Sequence, residues 1–87
     1  MRAVITVIGK DVVGILAKVS AACADANANI LEVTQSILQE YFAMVMLIDI
    51  SKMNCELDAL KERMRNNVPG MTIHVMHEDI FNSMHRI

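Results

Sequence analysis

The chain predicts an α+β, ferredoxin-like βαββαβ domain: a four-stranded antiparallel sheet with two helices on one face. Three observations carry that expectation. Apolar, β-branched runs and two amphipathic stretches follow one another in the order strand, helix, strand, strand, helix, strand, which is the split βαβ arrangement. Right-handed crossovers then place both helices on the same side of the sheet. The length, 87 residues, fits one small domain spanning 1–87, with 79–87 as a C-terminal tail.

Each element has its own signal. Arg2 to Ile8 is apolar and β-branched and reads as the first strand, which stops at Gly9. Gly14 to Asn27 reads as the first helix, with Ile15, Leu16, Val19, Ala22, Cys23 and Ala26 forming a helical stripe. Asn27-Ala28-Asn29 ends it, because Asn tolerates the left-handed conformation found at helix ends. Ile30 to Leu38 alternates and reads as the second strand, with Leu31, Val33 and Ile37 on one face and Glu32, Thr34 and Ser36 on the other. Gln39-Glu40 is a tight turn. Tyr41 to Ile50 is apolar on both faces, which predicts a strand that is central or covered on both sides. Ser51 or Asn54 is a candidate cap for the second helix, which runs to about Asn67 with Leu57, Leu60 and Met64 as its stripe. Val68-Pro69-Gly70 stops it. Met71 to Glu78 reads as the fourth strand. Asp79 to Ile87 carries Ile80, Phe81, Met84 and Ile87 at the spacing of a short amphipathic helix.

Composition narrows the function. Hydrophobic residues make up 54% and the net charge is -2. That balance argues against direct nucleic-acid binding, which favours a basic face. Excess apolar content in a small domain points to surface buried against a partner. The longest apolar run, Tyr41 to Ile48, is too short to span a bilayer, so no membrane contact is expected. Cys23 and Cys55 lack a metal-ligand spacing and read as free thiols in a reducing cytoplasm. Met1-Arg2 leads directly into a strand, with no signal-peptide pattern.

The first loop decides among the functions this fold hosts. Gly9 to Gly14 holds no sulfur, so it is not a thiolate metal loop. Gly9 and Gly14 have phosphate-loop spacing, but Ile15-Leu16 follow where Lys and a hydroxyl are needed. The strands lack the aromatic pairs that stack RNA bases. His74, His77, Glu78 and Asp79 suggest a metal cluster, yet His74 and His77 point to opposite faces of a regular strand. No catalytic constellation and no cofactor motif stand out. What remains is a strand end followed by a helix start, where unpaired N–H groups and the helix dipole suit a small anion such as a carboxylate.

The run Asp11-x-x-Gly14-Ile15-Leu16-Ala17-x-Val19-Ser20, followed by Asn27-x-Asn29-Ile30 and Gln35, resembles the ACT domain, a small amino-acid-sensing module. The ending from His77 to Ile87 is similar to that of small stand-alone ACT proteins related to the glycine cleavage system repressor. Val13 departs from the family pattern, in which Pro often precedes the glycine. The resemblance implies a ligand bound where the first loop meets an adjacent domain. Asp11 would meet an ammonium, Val12 and Val13 would form the loop, and Gly14 would let the ligand approach the helix start. Asn27 and Asn29 would bind the head group.

Plainer roles exist for the same residues. Gly14 serves equally well for close packing of the helix, Asp11 as a cap, and the asparagines as turn formers. The expected function is a non-enzymatic, cytoplasmic regulatory domain. It binds an amino acid, forms a homodimer and signals through a regulated protein partner. The alternative is an assembly module without a ligand. A small enzyme subunit or metal-binding protein is a more distant third.

Overall fold

The computed structural model describes residues 1–10 and 12–84. Strand β1 (Arg2–Lys10) leads to helix α1 (Ile15–Asp25), then to β2 (Asn29–Leu38) and β3 (Tyr41–Asp49). Helix α2 (Leu57–Asn67), β4 (Thr72–His77) and a short α3 (Glu78–Met84) complete the chain. The sheet order is β2-β3-β1-β4, and every neighbouring pair is antiparallel. This is the ferredoxin-like arrangement expected from the element order. β1 and β2 are each antiparallel to β3, so they run parallel to one another.

The core lies between the sheet and the two long helices. Alternate residues of β1 (Ala3, Ile5, Val7) and of β3 (Phe42, Met44, Met46, Ile48) meet Val19, Ala22 and Cys23 of α1 and Leu60 and Met64 of α2. Burial pushes the Cys23 thiol up to about 11, so it stays neutral and packs as a small apolar group. Among the described residues, no helix is long and apolar enough to cross a membrane.

α1 ends as expected at a left-handed Asn, two residues earlier than the sequence bounds, while the caps expected for α2 are not used. The helix stops at Asp25, and Asn27 adopts the left-handed conformation at φ 59. The Ala28 N–H donates to Cys23 O (2.9 Å) and the Asn27 N–H to Ala24 O (3.0 Å), which is a Schellman motif. Asn54 does not cap α2. Its Nδ2 donates to Asp25 O (2.9 Å) and its N–H to Ala26 O (2.9 Å), so it closes the end of α1 instead. Ser51 is also not the cap, because Glu56 takes that position with no side-chain hydrogen bond.

β2 is an edge strand, and every residue from Leu31 to Leu38 is exposed. A bulge between Ile30 and Glu32 leaves Leu31 without a partner across the ladder. Beyond it, Val33 and Ile37 pair with Met46 and Phe42 and share the helix side of the sheet. Neither helix reaches far enough to cover them, and Ile37 is 60% exposed.

The outer side of the sheet is covered unevenly. Arg2 grips Glu78 with both branches of its guanidinium, Nε to Oε1 at 3.1 Å and Nη2 to Oε2 at 2.7 Å. That clamp folds α3 back under the end of the sheet where β1 begins. Val4 is buried there, Thr6 is half-buried and Ile8 is 50% exposed. β3, expected to be central or covered on both sides, is central, and its outer residues are sheltered at that end only.

Candidate functional site

The residues that the sequence singled out fall in two places, at opposite ends of α1. The first is the β1–α1 loop. β1 runs one residue past Gly9 to Lys10, and helical geometry begins after Gly14. The first intrahelical bond is Lys18 N–H to Gly14 O at 3.0 Å. The N–H groups of Ile15, Leu16 and Ala17 therefore have no intrahelical acceptor, and among the described residues the N-cap, Gly14, offers no side-chain hydrogen bond. Val12 is exposed and Val13 is 96% exposed, so the loop's described side chains are apolar and face water. Asp11 lies outside the described residues.

Gly14 sits at φ +84, where a side chain costs backbone strain. A Cβ placed there would have only Lys18 Cε nearby, at 3.9 Å. The glycine is thus required by the turn of the chain rather than by close packing of the helix.

The second place is the far end of α1, about 16 Å away along an 11-residue helix. Asn27 Nδ2 donates to Lys52 O at 2.8 Å, pinning the segment after β3 against the helix end. Asn29 opens β2 opposite Asp49. Together with Ala24, Ala28, Ser51 and Lys52 they line an open cavity of about 560 Å³. Hydrogen bonds from Ser51, through its side chain and its backbone N–H (2.8 Å to Oδ1), hold the Asp49 carboxyl below its ordinary range. The cavity therefore offers a carboxylate, the Lys52 ammonium and amides within one small volume.

The sequence expectation named Asn27 and Asn29 but missed Asp49, Ser51 and Lys52. Their signal was the switch from an unbroken apolar run to Asp49-Ile50-Ser51-Lys52 at the end of β3. A single chain does not bring Gly14 and its loop together with Asn27 and Asn29. His74 and His77 pair with Thr6 and Ala3, which lie on opposite faces of β1.

Similarity to known proteins agrees with this architecture. The ACT domain family model matches residues 2–77. A UPF0237 protein of Clostridium perfringens is 49% identical over 89 residues, covering all of both chains. A UPF0237 protein of Methanocaldococcus jannaschii is 44% identical, covering 99% of this chain and 98% of its own. A solved ACT domain protein from Streptococcus pneumoniae superposes with a TM-score of 0.76 at 32% identity, covering 98% of each chain. With the βαββαβ fold, the glycine at the helix start and the family match over nearly the whole described chain, this protein belongs to the ACT domain family.

Proposed function

We propose that this is a regulatory domain that binds an amino acid between two copies of itself. The observation that carries the reading is the exposed edge of β2, ten residues long with apolar Leu31, Val33 and Ile37 uncovered. An edge of that kind is a template for pairing with another chain. Antiparallel pairing with the β2 of a second copy, about a twofold axis, is the self-complementary solution.

That pairing supports a ligand site for a geometric reason. β1 and β2 are parallel, so within one chain Asn29 and the loop after β1 lie at opposite ends. Antiparallel pairing brings the beginning of the partner's β2 beside the end of this one. Asn29 and the polar cavity around it then approach the partner's Val12–Gly14 loop. The helix-start N–H groups suit the ligand carboxylate. Asp11, Asp49 and the amides of Asn27 and Asn29 suit its ammonium. Val12 and Val13 suit an apolar side chain. The domain would act by passing ligand occupancy to a protein partner, in a reducing cytoplasm that keeps Cys23 and Cys55 as free thiols.

Subunit complementation tests the reading. A thermal-shift screen of the twenty amino acids first identifies a ligand, since binding to the native state raises its stability. Gly14→Val and Asn29→Ala should each abolish the response. Co-refolded in equal amounts, they should recover about a quarter of the wild-type sites, because random pairing yields heterodimers with one intact site. A mixture as inert as its parents would overturn the composite site. A dimer that responds to none of the amino acids would leave the assembly-module reading in its place.

A further inference from the structure

Gly9 stands where a side chain would have no room. A Cβ at that position would lie 2.5 Å from Met71 Sδ and 3.3 Å from its Cε. The last pair of the β1–β4 ladder is Ile8 with Thr72. At the next step the Met71 side chain, rather than the ladder, lies against β1. By alternation Gly9 shares the helix side of the sheet with Val7, and Met71 shares it with Ile73. Met71 is half-buried and packed against the core. Its backbone is fixed from the other direction. The Met71 N–H donates to Val68 O at 3.3 Å, Gly70 turns at φ +90, and Asn67 Nδ2 donates to Lys18 O at 3.1 Å. The turn between α2 and β4 is thus tied to α1 by an amide and to the end of β1 by a thioether. Those are the two roots of the β1–α1 loop.

We propose that Met71 is a modification site, at which a hydroperoxide oxidises the thioether and thereby releases the β1 root of the loop. The sulfur lone pair attacks the terminal peroxide oxygen and the O–O bond breaks. The proton of the transferred oxygen passes to the departing one, which leaves as water or an alcohol. Sulfur is oxidised to the sulfoxide and the peroxide is reduced. A thiol-dependent reductase reverses the change: two thiols become a disulfide and the oxygen leaves as water.

The seat fits the thioether and not its product. The side of the sulfur that faces β1 is closed by glycine backbone. A sulfoxide is larger and polar, and burying its oxygen among apolar neighbours without a donor is unfavourable. The oxidised side chain therefore turns toward water and leaves Gly9. Met44, Met46 and Met64 are fully buried, which shields them from the reagent. Met53 and Met76 are half-buried but lie elsewhere, after β3 and on the outer side of the sheet. The loosened loop carries contacts of the proposed ligand site, so oxidation also weakens binding under that reading. The brace and its test do not depend on it.

Hydrogen peroxide treatment of the full chain tests the proposal, with each methionine's oxidation read by peptide mass spectrometry and amide hydrogen exchange read on the same sample. Conversion of Met71 should speed exchange about tenfold at Ile8 to Lys10 and at Lys18 to Ala21, the protected amides on either side of the loop. Met46 to Ile48, at the far end of β3, should keep their rates. Met71→Leu keeps the apolar bulk without the sulfur, and its exchange should not respond to peroxide. Gly9→Ala should speed exchange in the same two segments with no oxidant, because its Cβ takes the place of the thioether. Fully converted Met71 with unchanged exchange in both segments overturns the proposal. So does a Met71→Leu chain that loosens under peroxide as much as the wild type, since the effect then belongs to another methionine. A Met71 that stays reduced while Met53 and Met76 are converted overturns it as well. If Gly9→Ala does not fold, the comparison of the wild type with Met71→Leu decides alone.

Discussion

Replacing Asn27 tests how the end of α1 is built. Asn27 contributes two separable things: a left-handed backbone at φ 59 and an Nδ2 hydrogen bond of 2.8 Å to Lys52 O. Asn27→Gly keeps the backbone state at little cost and loses the hydrogen bond, worth about 1 kcal/mol. Asn27→Ala loses the same bond and adds a left-handed alanine, at a further cost of about 1 kcal/mol. The expected losses are therefore about 1 kcal/mol for Gly and about 2 kcal/mol for Ala. For a domain of this size, 1 kcal/mol moves Tm by roughly 4–8 °C. Calorimetric melting of the two variants beside the wild type should show Ala falling about twice as far as Gly. If the two melt together, the backbone state is not what selects asparagine. If Gly melts lower than Ala, the Schellman geometry assigned to this helix end is wrong.

Four further outcomes are expected. Gly14→Ala should cost about 1–2 kcal/mol in urea titration, from backbone strain alone because the space around it is open; a neutral effect would mean the loop readily adopts another conformation. In the native protein a small alkylating reagent should modify half-buried Cys55 well before Cys23, whose buried thiol is held neutral by a pKa of about 11; equal rates would contradict the packing of α1. Asp49 favours the folded state above the ordinary carboxylate range, and that contribution is lost as acidification passes through its lowered pKa. Ser51→Ala removes the side-chain bond and keeps the backbone N–H, so the Asp49 titration, read by NMR, should move part of the way back toward the ordinary range; an unchanged midpoint would remove the Ser51 hydroxyl as a cause. Tm should rise by about 4 °C per tenfold increase in protein concentration if two chains unfold together, whereas a constant Tm would mean the chain melts alone.

The order of elements was legible because both periodicities are unbroken where the core forms. β1 and β3 alternate against the helices, and the stripes of α1 and α2 follow one face. What was not legible depends on contacts made at a distance. Asn54 reads locally as a cap for the helix after it, yet it closes the helix before β2, because the chain returns past the end of α1. Leu31, Val33 and Ile37 share a parity in the sequence, but the bulge after Ile30 breaks the count and leaves Leu31 out of the ladder. The candidate site divides in the same way. Gly14 announces itself by its place between a strand and a helix. Asp49, Ser51 and Lys52 gain their meaning only when the end of β3 is folded beside the end of α1.

The placement of exposed apolar residues links the parts. Ile8, Val12, Val13, Leu16, Ile37, Leu38 and Tyr41 all cluster at the end of the sheet where β1 finishes. The opposite end carries Asp49, Ser51, Lys52 and the Arg2–Glu78 clamp and is richer in polar groups, with Met1, Leu31 and Ile80 as its exposed apolar residues. A domain this small buries a limited share of its own surface. It gains by burying such a patch against a partner. A twofold that pairs unlike ends sets each apolar end against its partner's polar end. Ligand polarity then has a physical role at that junction. A zwitterion with an apolar side chain could satisfy the orphan N–H groups and carboxylates on one side while its side chain contacts Val12 and Val13 on the other. Under the proposed function a ligand would complete the contact between chains, and its presence would register as a change in their association.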